Sequence, residues 1–111
     1  MNPFATQTVL VIDVAALERS MAEGSAHVLD VRDEWEYRRA HVPGVLNVPL
    51  GQLPRRLPEL PTDRPILVIC EHGERSLVAA QFLASRGFPA AASIQGGTSA
   101  WIASRRPVER S

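Results

Sequence analysis

The sequence predicts an α/β fold in which a mostly parallel sheet is flanked by helices on both faces. Short apolar runs rich in Val and Ile alternate along the chain with segments whose apolar residues recur at helical spacing. The run at residues 66–69 is apolar at every position, which is typical of a strand covered on both faces of its sheet. Because each connecting helix returns the chain to the same end of the sheet, this alternation favours parallel strands.

Capping residues and glycines set the boundaries of the predicted elements. Strands are predicted at residues 9–12, 27–31, 45–48, 66–69 and 91–94. Helices are predicted over residues 14–21, after Asp33 through Arg38, from Arg75 to about Arg86, and over residues 98–102. Asp13 is placed to cap the first helix, which Gly24 ends, and Asp33 with Glu36 resembles a capping box for the second. Each strand is therefore followed by a turn or helix that redirects the chain.

The connection between residues 49 and 65 has its own pattern. It contains five prolines, at positions 49, 54, 58, 61 and 65, which limit it to short helical turns. Leucines recur at positions 50, 53, 57 and 60, so that one side of the segment is apolar. We therefore expect this segment to pack on the core as a cover rather than to act as a flexible linker.

Length and composition limit the classes of function. The 111 residues are interpreted as a single domain, 1–111, and the 12 basic side chains balance 12 acidic ones. This balance predicts no nucleic acid and no membrane surface as partner. One cysteine excludes a disulfide framework and any cysteine-rich metal site, and it fits a reducing compartment. Without a signal-peptide pattern or a long apolar stretch, the expected location is cytoplasmic.

The single cysteine lies at the turn between the predicted strand 66–69 and the helix that follows. Backbone amides of such a turn and of the helix N-terminus converge there and favour an anion. The thiolate is the reactive form of cysteine, and helix N-termini and nearby cations such as Arg75 or His72 stabilise it. Gly73 permits the positive φ of a tight loop. The alternative is that Cys70 is simply a small buried apolar residue.

The loop sequence Cys70-Glu71-His72-Gly73-Glu74-Arg75-Ser76 resembles the C-x-x-G-x-R-S active-site pattern of rhodanese-like domains. Three further matches follow the order of that family: residues 29–32 with Glu36-Tyr37, residues 41–49, and Gly96-Gly97 with Trp101. The resemblance extends over nearly the whole chain. It implies a rhodanese-like fold, with a sheet of about five strands flanked by helices on both faces.

The resemblance implies a rhodanese-type sulfurtransferase, with Cys70 as the nucleophile that carries sulfane sulfur as a persulfide. Its substrates would be a small sulfur donor, thiosulfate or a persulfide, and a thiol, cyanide or protein acceptor. Arg75 would fix the loop or pair with an anionic substrate, while the amides from Glu71 to Ser76 would cradle the persulfide. The chemistry requires no cofactor, and the histidines lack the spacing of a metal site.

Charged residues around the loop bear on the choice of sulfur donor. Glu71 and Glu74 add negative charge where thiosulfate, a dianion, would bind, so thiosulfate is expected to be a poor donor. Asp30 and Arg32 lie at the end of a strand whose carboxyl edge should share the active-site face, where they could pair with each other or with loop groups. His72 could assist proton transfer or face solvent.

Two other functions compete with sulfur transfer. Phosphatases of related fold have five residues between the loop cysteine and arginine, whereas only four separate Cys70 from Arg75. The smaller loop favours a sulfur atom over a tetrahedral oxyanion. The second alternative is a partner-dependent sulfur carrier or a non-catalytic regulatory module, and the retained Cys70, Gly73 and Arg75 favour activity.

Overall fold

The structure, a computed structural model, describes residues 2–111. Its strands are β1 (Leu10–Ile12), β2 (His27–Asp30), β3 (Leu46–Asn47), β4 (Ile66–Ile69) and β5 (Ala92–Ile94). Its α-helices are α1 (Val14–Glu23), α2 (Glu34–Arg39), α3 (Leu53–Arg56), α4 (Glu74–Ser85) and α5 (Gly97–Ala103). Single 3₁₀ turns, Leu50–Gln52 and Leu57–Glu59, flank α3.

The five strands form one parallel sheet in the order β1-β5-β4-β2-β3. The predicted α/β fold class, with a mostly parallel sheet and helices on both faces, is confirmed. β4 is central and buried at every position, as its uninterrupted apolar sequence predicts. The parallel order places the carboxyl ends of β2, β4 and β5 at one edge of the sheet, where the loop of Cys70 begins.

The helix caps follow the sequence signals. Asp13 accepts a hydrogen bond from the amide of Ala16 at 2.9 Å, and α1 ends at Gly24 with φ of +64°. Asp33 and Glu36 form the predicted capping box of α2. The predicted strand at residues 45–48 is shorter in the structure, because only Leu46 and Asn47 pair with β2.

Two apolar clusters fill the spaces on either side of the sheet. One contains Leu29 and Val68 together with Leu83 of α4 and Leu53 of α3. The other is built around Leu17 and includes Val28, Ile69, Ile94 and Trp101. Leu53 and Leu60 are buried and Leu50 and Leu57 pack against the first cluster, so the proline-rich segment covers the core as predicted. Within residues 2–111, no helix is long and apolar enough to cross a membrane.

Candidate active site

Cys70 directly follows β4 and lies at the floor of a loop that leads into the N-terminus of α4. The residue is only 1% exposed. The amide of Gly73 donates a hydrogen bond to Cys70 Sγ at 3.1 Å. Gly73 is the N-cap of α4 and has φ of +117°, a conformation that residues with a side chain rarely adopt. The glycine therefore allows the chain to fold back over the sulfur.

Two buried serines continue the contacts of the sulfur into the protein. Cys70 Sγ lies 3.4 Å from Ser76 Oγ, which lies 2.7 Å from Ser93 Oγ on β5. Ser93 Oγ is also 3.4 Å from the carbonyl oxygen of Gly73. A hydroxyl can donate or accept, so Ser76 can donate to a Cys70 thiolate while Ser93 donates to Ser76. The pair thus offers a second donor to the charged sulfur beside the Gly73 amide.

The first turn of α4, which begins directly after Gly73, carries backbone amides without a partner inside the helix. The amides of Glu74, Arg75 and Ser76 belong to the turn that has no earlier helical carbonyl to bond to. A cavity of about 70 Å³ opens over the loop and is lined by Cys70, Glu71, His72, Glu74 and Arg75. The helix dipole favours negative charge at this place. The arrangement can accommodate an anionic sulfur and a small group attached to it.

Arg75 does not point freely into the cavity, because Glu36 of α2 holds its guanidinium. The two nitrogens donate to the two carboxylate oxygens at 2.8 and 3.0 Å. This bidentate pair joins the active loop to α2 and restricts the arginine to one orientation. The hydrogen bonds from Arg75 lower the pKa of Glu36 against the opposing effect of its partial burial. The same hydrogen bonds raise the pKa of Arg75, so it stays charged.

A second charged group, more deeply buried, lies beneath the loop. Arg32 is 3% exposed and donates to both carboxylate oxygens of Asp30, which is fully buried. It also donates to the carbonyl of Ala40 at 2.7 Å and to Glu71 Oε1 at 3.1 Å. Burial opposes the charge of Arg32, but the hydrogen bonds and charges of Asp30 and Glu71 outweigh it and raise its pKa. Arg32 therefore pairs both with Asp30 and with the loop residue Glu71, which are the two alternatives considered from the sequence.

Glu71 differs from Glu74 in that both of its carboxylate oxygens accept hydrogen bonds from buried or half-buried side chains. Its Oε1 accepts from Arg32, and its Oε2 accepts from Ser99 Oγ of α5 at 2.6 Å. Glu74 is exposed at the mouth of the loop. Of the two carboxylates expected to oppose an anionic donor, Glu71 is thus paired with a cation. That cation is shared with the buried Asp30, so Glu71 keeps part of its charge. The electrostatic argument against thiosulfate depends on this part together with Glu74, whose exposed charge water screens.

The N-terminus of α5 supports the loop from behind. The amide and hydroxyl of Thr98 donate to the carbonyl of Cys70 at 2.8 and 3.1 Å. The amide of Ser99 donates to the carbonyl of Glu71 at 3.0 Å. These bonds fix the backbone of the first two loop residues, and they require a close approach that Gly97 allows.

The structure brings together every residue that the sequence placed at the site. Five of the loop residues line the small cavity, Gly73 and Ser76 contact the sulfur, and the Asp30–Arg32 pair contacts Glu71. His72 is exposed at the mouth. Within residues 2–111, no group of acidic, histidine and cysteine side chains could hold a metal ion.

Sequence reasoning did not identify four supporting residues: the Arg75 partner Glu36, and Ser93, Thr98 and Ser99. The sequence assigns Glu36 to the capping box and to the family pattern, but neither signal indicates Arg75 as its partner. Ser93 lies on β5, and Thr98 and Ser99 lie in the helix after it, so their contacts with the loop depend on β5 being next to β4. That order of strands could not be inferred from local patterns.

The low pKa of Glu36 predicts a pH-dependent contribution to stability. A depressed carboxyl pKa stabilises the fold above the unfolded-state value, and this contribution disappears as pH falls through the folded-state value. Glu36→Gln is therefore expected to lower the free energy of unfolding by about 1 kcal/mol at pH 7, and this deficit should shrink as the pH falls below the ordinary glutamate pKa. Urea denaturation at several pH values measures it.

The control for this test is Glu34→Gln in the same helix. Glu34 pairs with Arg38, and both side chains are largely exposed. We expect this variant to show little deficit at any pH. A deficit for Glu36→Gln that does not change with pH would contradict the assignment, because protonation of the wild-type carboxyl at low pH should remove the difference.

Comparisons with known proteins agree with this fold and loop. The family model of the rhodanese-like domain matches residues 13–104. Thiosulfate sulfurtransferase GlpE of Vibrio cholerae is 34% identical over 100 residues, which are 90% of this chain and 94% of that protein. A protein of Bacillus subtilis, YrkF, whose name suggests a sulfur carrier, is 38% identical over 80 residues, 72% of this chain and 43% of YrkF.

Solved structures show the same architecture. The crystal structure of a rhodanese-related protein from Thermoplasma volcanium superimposes with a TM-score of 0.85 at 30% identity. The match covers 92% of this chain and 99% of that one. The resemblance inferred from the loop motif is therefore confirmed over most of the sequence, and the chain belongs to the rhodanese-like domain family.

Proposed function

We propose that the protein is a sulfurtransferase in which Cys70 accepts a sulfane sulfur and passes it on. The observation that carries the proposal is the environment of the thiol, which lies under the amide of Gly73 and beside the hydroxyl of Ser76. A small cavity opens above it. The names of two relatives, a thiosulfate sulfurtransferase and a protein whose name suggests a sulfur carrier, support the same chemistry.

The first half-reaction is a nucleophilic displacement at sulfur. The Cys70 thiolate attacks the outer sulfur of the donor, and a new S–S bond forms while the donor's own S–S bond breaks. The electron pair of the broken bond leaves on sulfite when thiosulfate is the donor, or on a thiolate when the donor is a persulfide. Cys70 then carries a persulfide, and the amides of the loop and of the first turn of α4 stabilise its negative charge.

Both donors remain within the proposal. The pairing of Glu71 with Arg32 and Ser99 removes part of the repulsion that thiosulfate would meet. The exposed carboxylate of Glu74 still acts against a dianion. A persulfide donor is less sensitive to this charge, because the sulfur under attack carries little of it.

Arg75 has a supporting part in the proposed reaction. Glu36 binds its guanidinium through both nitrogens, which favours a role in fixing the loop over direct capture of a substrate anion. Asp30 and Arg32 support the site from below by holding Glu71.

A cytoplasmic location and a single domain over residues 1–111 stay predictions.

A partner-dependent carrier is the second candidate function. It is favoured by the name of YrkF and by the small size of the opening over Cys70. Such a carrier would load from a protein donor and react slowly with free small donors. The two candidates share the Cys70 persulfide and differ in what delivers the sulfur.

Intact mass spectrometry tests the proposal directly. The reduced protein is incubated with thiosulfate and, separately, with glutathione persulfide, alongside Cys70→Ser. We expect the wild type to gain one sulfur atom and to lose it on addition of cyanide, and we expect the variant to gain none. Loading by the persulfide alone would favour a persulfide donor. The absence of any gain would reject independent sulfur transfer and leave the partner-dependent carrier or a non-catalytic module.

A further inference from the structure

A larger cavity adjoins the small one over Cys70. It has a volume of about 360 Å³ and is lined by Arg32, Trp35, Glu36, Arg39, Ala40, Glu71 and Ile102. Glu71 lines both cavities, and the ion pair between Arg75 and Glu36 joins a residue of one to a residue of the other. A molecule in the larger cavity would therefore lie next to the reactive sulfur.

Its position distinguishes this cavity from another of similar volume. A second cavity of about 330 Å³ is lined by His27 and Ile66, which begin β2 and β4, so it lies at the opposite end of the sheet from Cys70. A volume of a few hundred Å³ is typical of sites for small organic molecules. The cavity over Cys70 alone has room for little more than the reacting group.

Two exposed apolar side chains contribute to the larger cavity. Trp35 of α2 is 64% exposed, and Ile102 of α5 is 46% exposed. Both stand in solvent although a tryptophan and an isoleucine are stabilised by burial. A ligand with an apolar body would cover them.

The charge of the cavity favours an anionic group at one position. Arg39 follows Trp35 by one helical turn, so the two side chains share a face of α2. The three other charged lining residues are paired: Arg32 with Asp30 and Glu71, and Glu36 with Arg75. Arg39 has no carboxylate within ion-pair distance among residues 2–111. Arg39 is therefore the lining cation that can pair with an anionic group of a ligand, whereas Arg32 already shares its charge between two carboxylates.

We propose that this cavity, lined by Trp35, Arg39 and Ile102, binds the sulfur acceptor, and that the acceptor is a small organic thiol with an apolar body and a carboxylate. The body packs against Trp35 and Ile102, the carboxylate pairs with Arg39, and the thiol extends past Glu71 toward Cys70. This assignment rests on the proposed function, since it concerns the second half-reaction.

The transfer step needs no further reactant. The acceptor thiolate attacks the outer sulfur of the Cys70 persulfide, a new S–S bond forms, and the bond to Cys70 Sγ breaks. Its electron pair stays on Cys70, where the amide of Gly73 and the hydroxyl of Ser76 receive the restored thiolate. The proton that the acceptor thiol loses as it attacks is taken up by the transferred sulfur, so the product is the persulfide of the acceptor.

The test measures discharge of the sulfur-loaded protein by two matched thiols. One is 4-(mercaptomethyl)benzoate, and the other is its primary amide, which has the same body and thiol but no charge. Discharge is followed as the loss of one sulfur atom from the intact mass. We expect the carboxylate to react about two- to fivefold faster, as suits an exposed ion pair, and this preference to disappear at high salt.

Three variants separate the contributions. Arg39→Gln should slow discharge by the carboxylate until it is no faster than discharge by the amide, whereas Trp35→Ala should slow both thiols. Arg38→Gln is the matched control, because the neighbouring Arg38 is exposed and pairs with Glu34 instead of lining the cavity. It should keep the wild-type preference.

The outcomes distinguish this proposal from the one on which it rests. Equal rates with both thiols, or a preference that survives Arg39→Gln, would overturn the acceptor site while leaving sulfur loading intact. A protein that does not load sulfur would overturn the proposed function and the acceptor site with it.

Discussion

Gly97→Ala is expected to lower the free energy of unfolding by about 2–5 kcal/mol and to abolish loading of sulfur on Cys70. A Cβ at this position would meet the carbonyl oxygen of Cys70 and would lie 2.6 Å from that of Glu71. Both are backbone atoms of the active loop and cannot rotate away. The residue also has φ of +59°, which a side chain disfavours. Either the loop or the start of α5 must move.

Gly24→Ala is the control that isolates the cost of the backbone conformation. Gly24 has φ of +64°, and a Cβ there would meet no atom within 4 Å. We expect this variant to lose about 1–2 kcal/mol and to load sulfur normally. Chemical denaturation and intact mass measure both effects. If Gly97→Ala were no worse than Gly24→Ala in stability and loaded sulfur at the wild-type rate, the contact between α5 and the loop would not be required.

Local signals in the sequence were sufficient to predict the elements and the place of the Cys70 loop at the end of β4. Asp13 and the pair Asp33 and Glu36 set helix starts that the structure reproduces, because capping is decided within a few residues. The position of Cys70 after a fully apolar strand likewise placed it at the edge of the sheet. These inferences need no knowledge of how distant segments pair.

The supporting residues of the site required the three-dimensional arrangement. Ser93 lies beside Ser76 only because β5 is the neighbour of β4, an adjacency that local pattern does not specify. Glu36 reaches Arg75 because α2 follows β2, the other neighbour of β4. The pairing of Glu71 with Arg32 changed an electrostatic inference, since counting loop charges cannot show which of them are compensated.

Arg32→Met is expected to destabilise the protein by about 3–5 kcal/mol, because it leaves the Asp30 carboxylate buried without its partner charge. Of the groups that now donate to the Asp30 carboxylate, only the backbone amide of residue 32 would remain. The carbonyl of Ala40 would also lose its guanidinium donor. Arg38→Met is the control, since Arg38 forms an exposed pair with Glu34 and should cost less than about 0.5 kcal/mol.

A double variant shows whether the penalty comes from the stranded charge. Asp30→Asn added to Arg32→Met removes the unpaired carboxylate, so we expect the double variant to recover part of the stability lost by Arg32→Met alone. Urea denaturation of the four proteins in this cycle gives the coupling. Additive losses would contradict the assignment, because two independent defects would then explain the data.

Glu71→Gln removes the carboxylate with which Arg32 pairs in the loop, and it leaves no buried charge unpaired because Arg32 still pairs with Asp30. It should therefore leave stability nearly unchanged and raise the rate of loading from thiosulfate, if the residual charge of Glu71 opposes that donor.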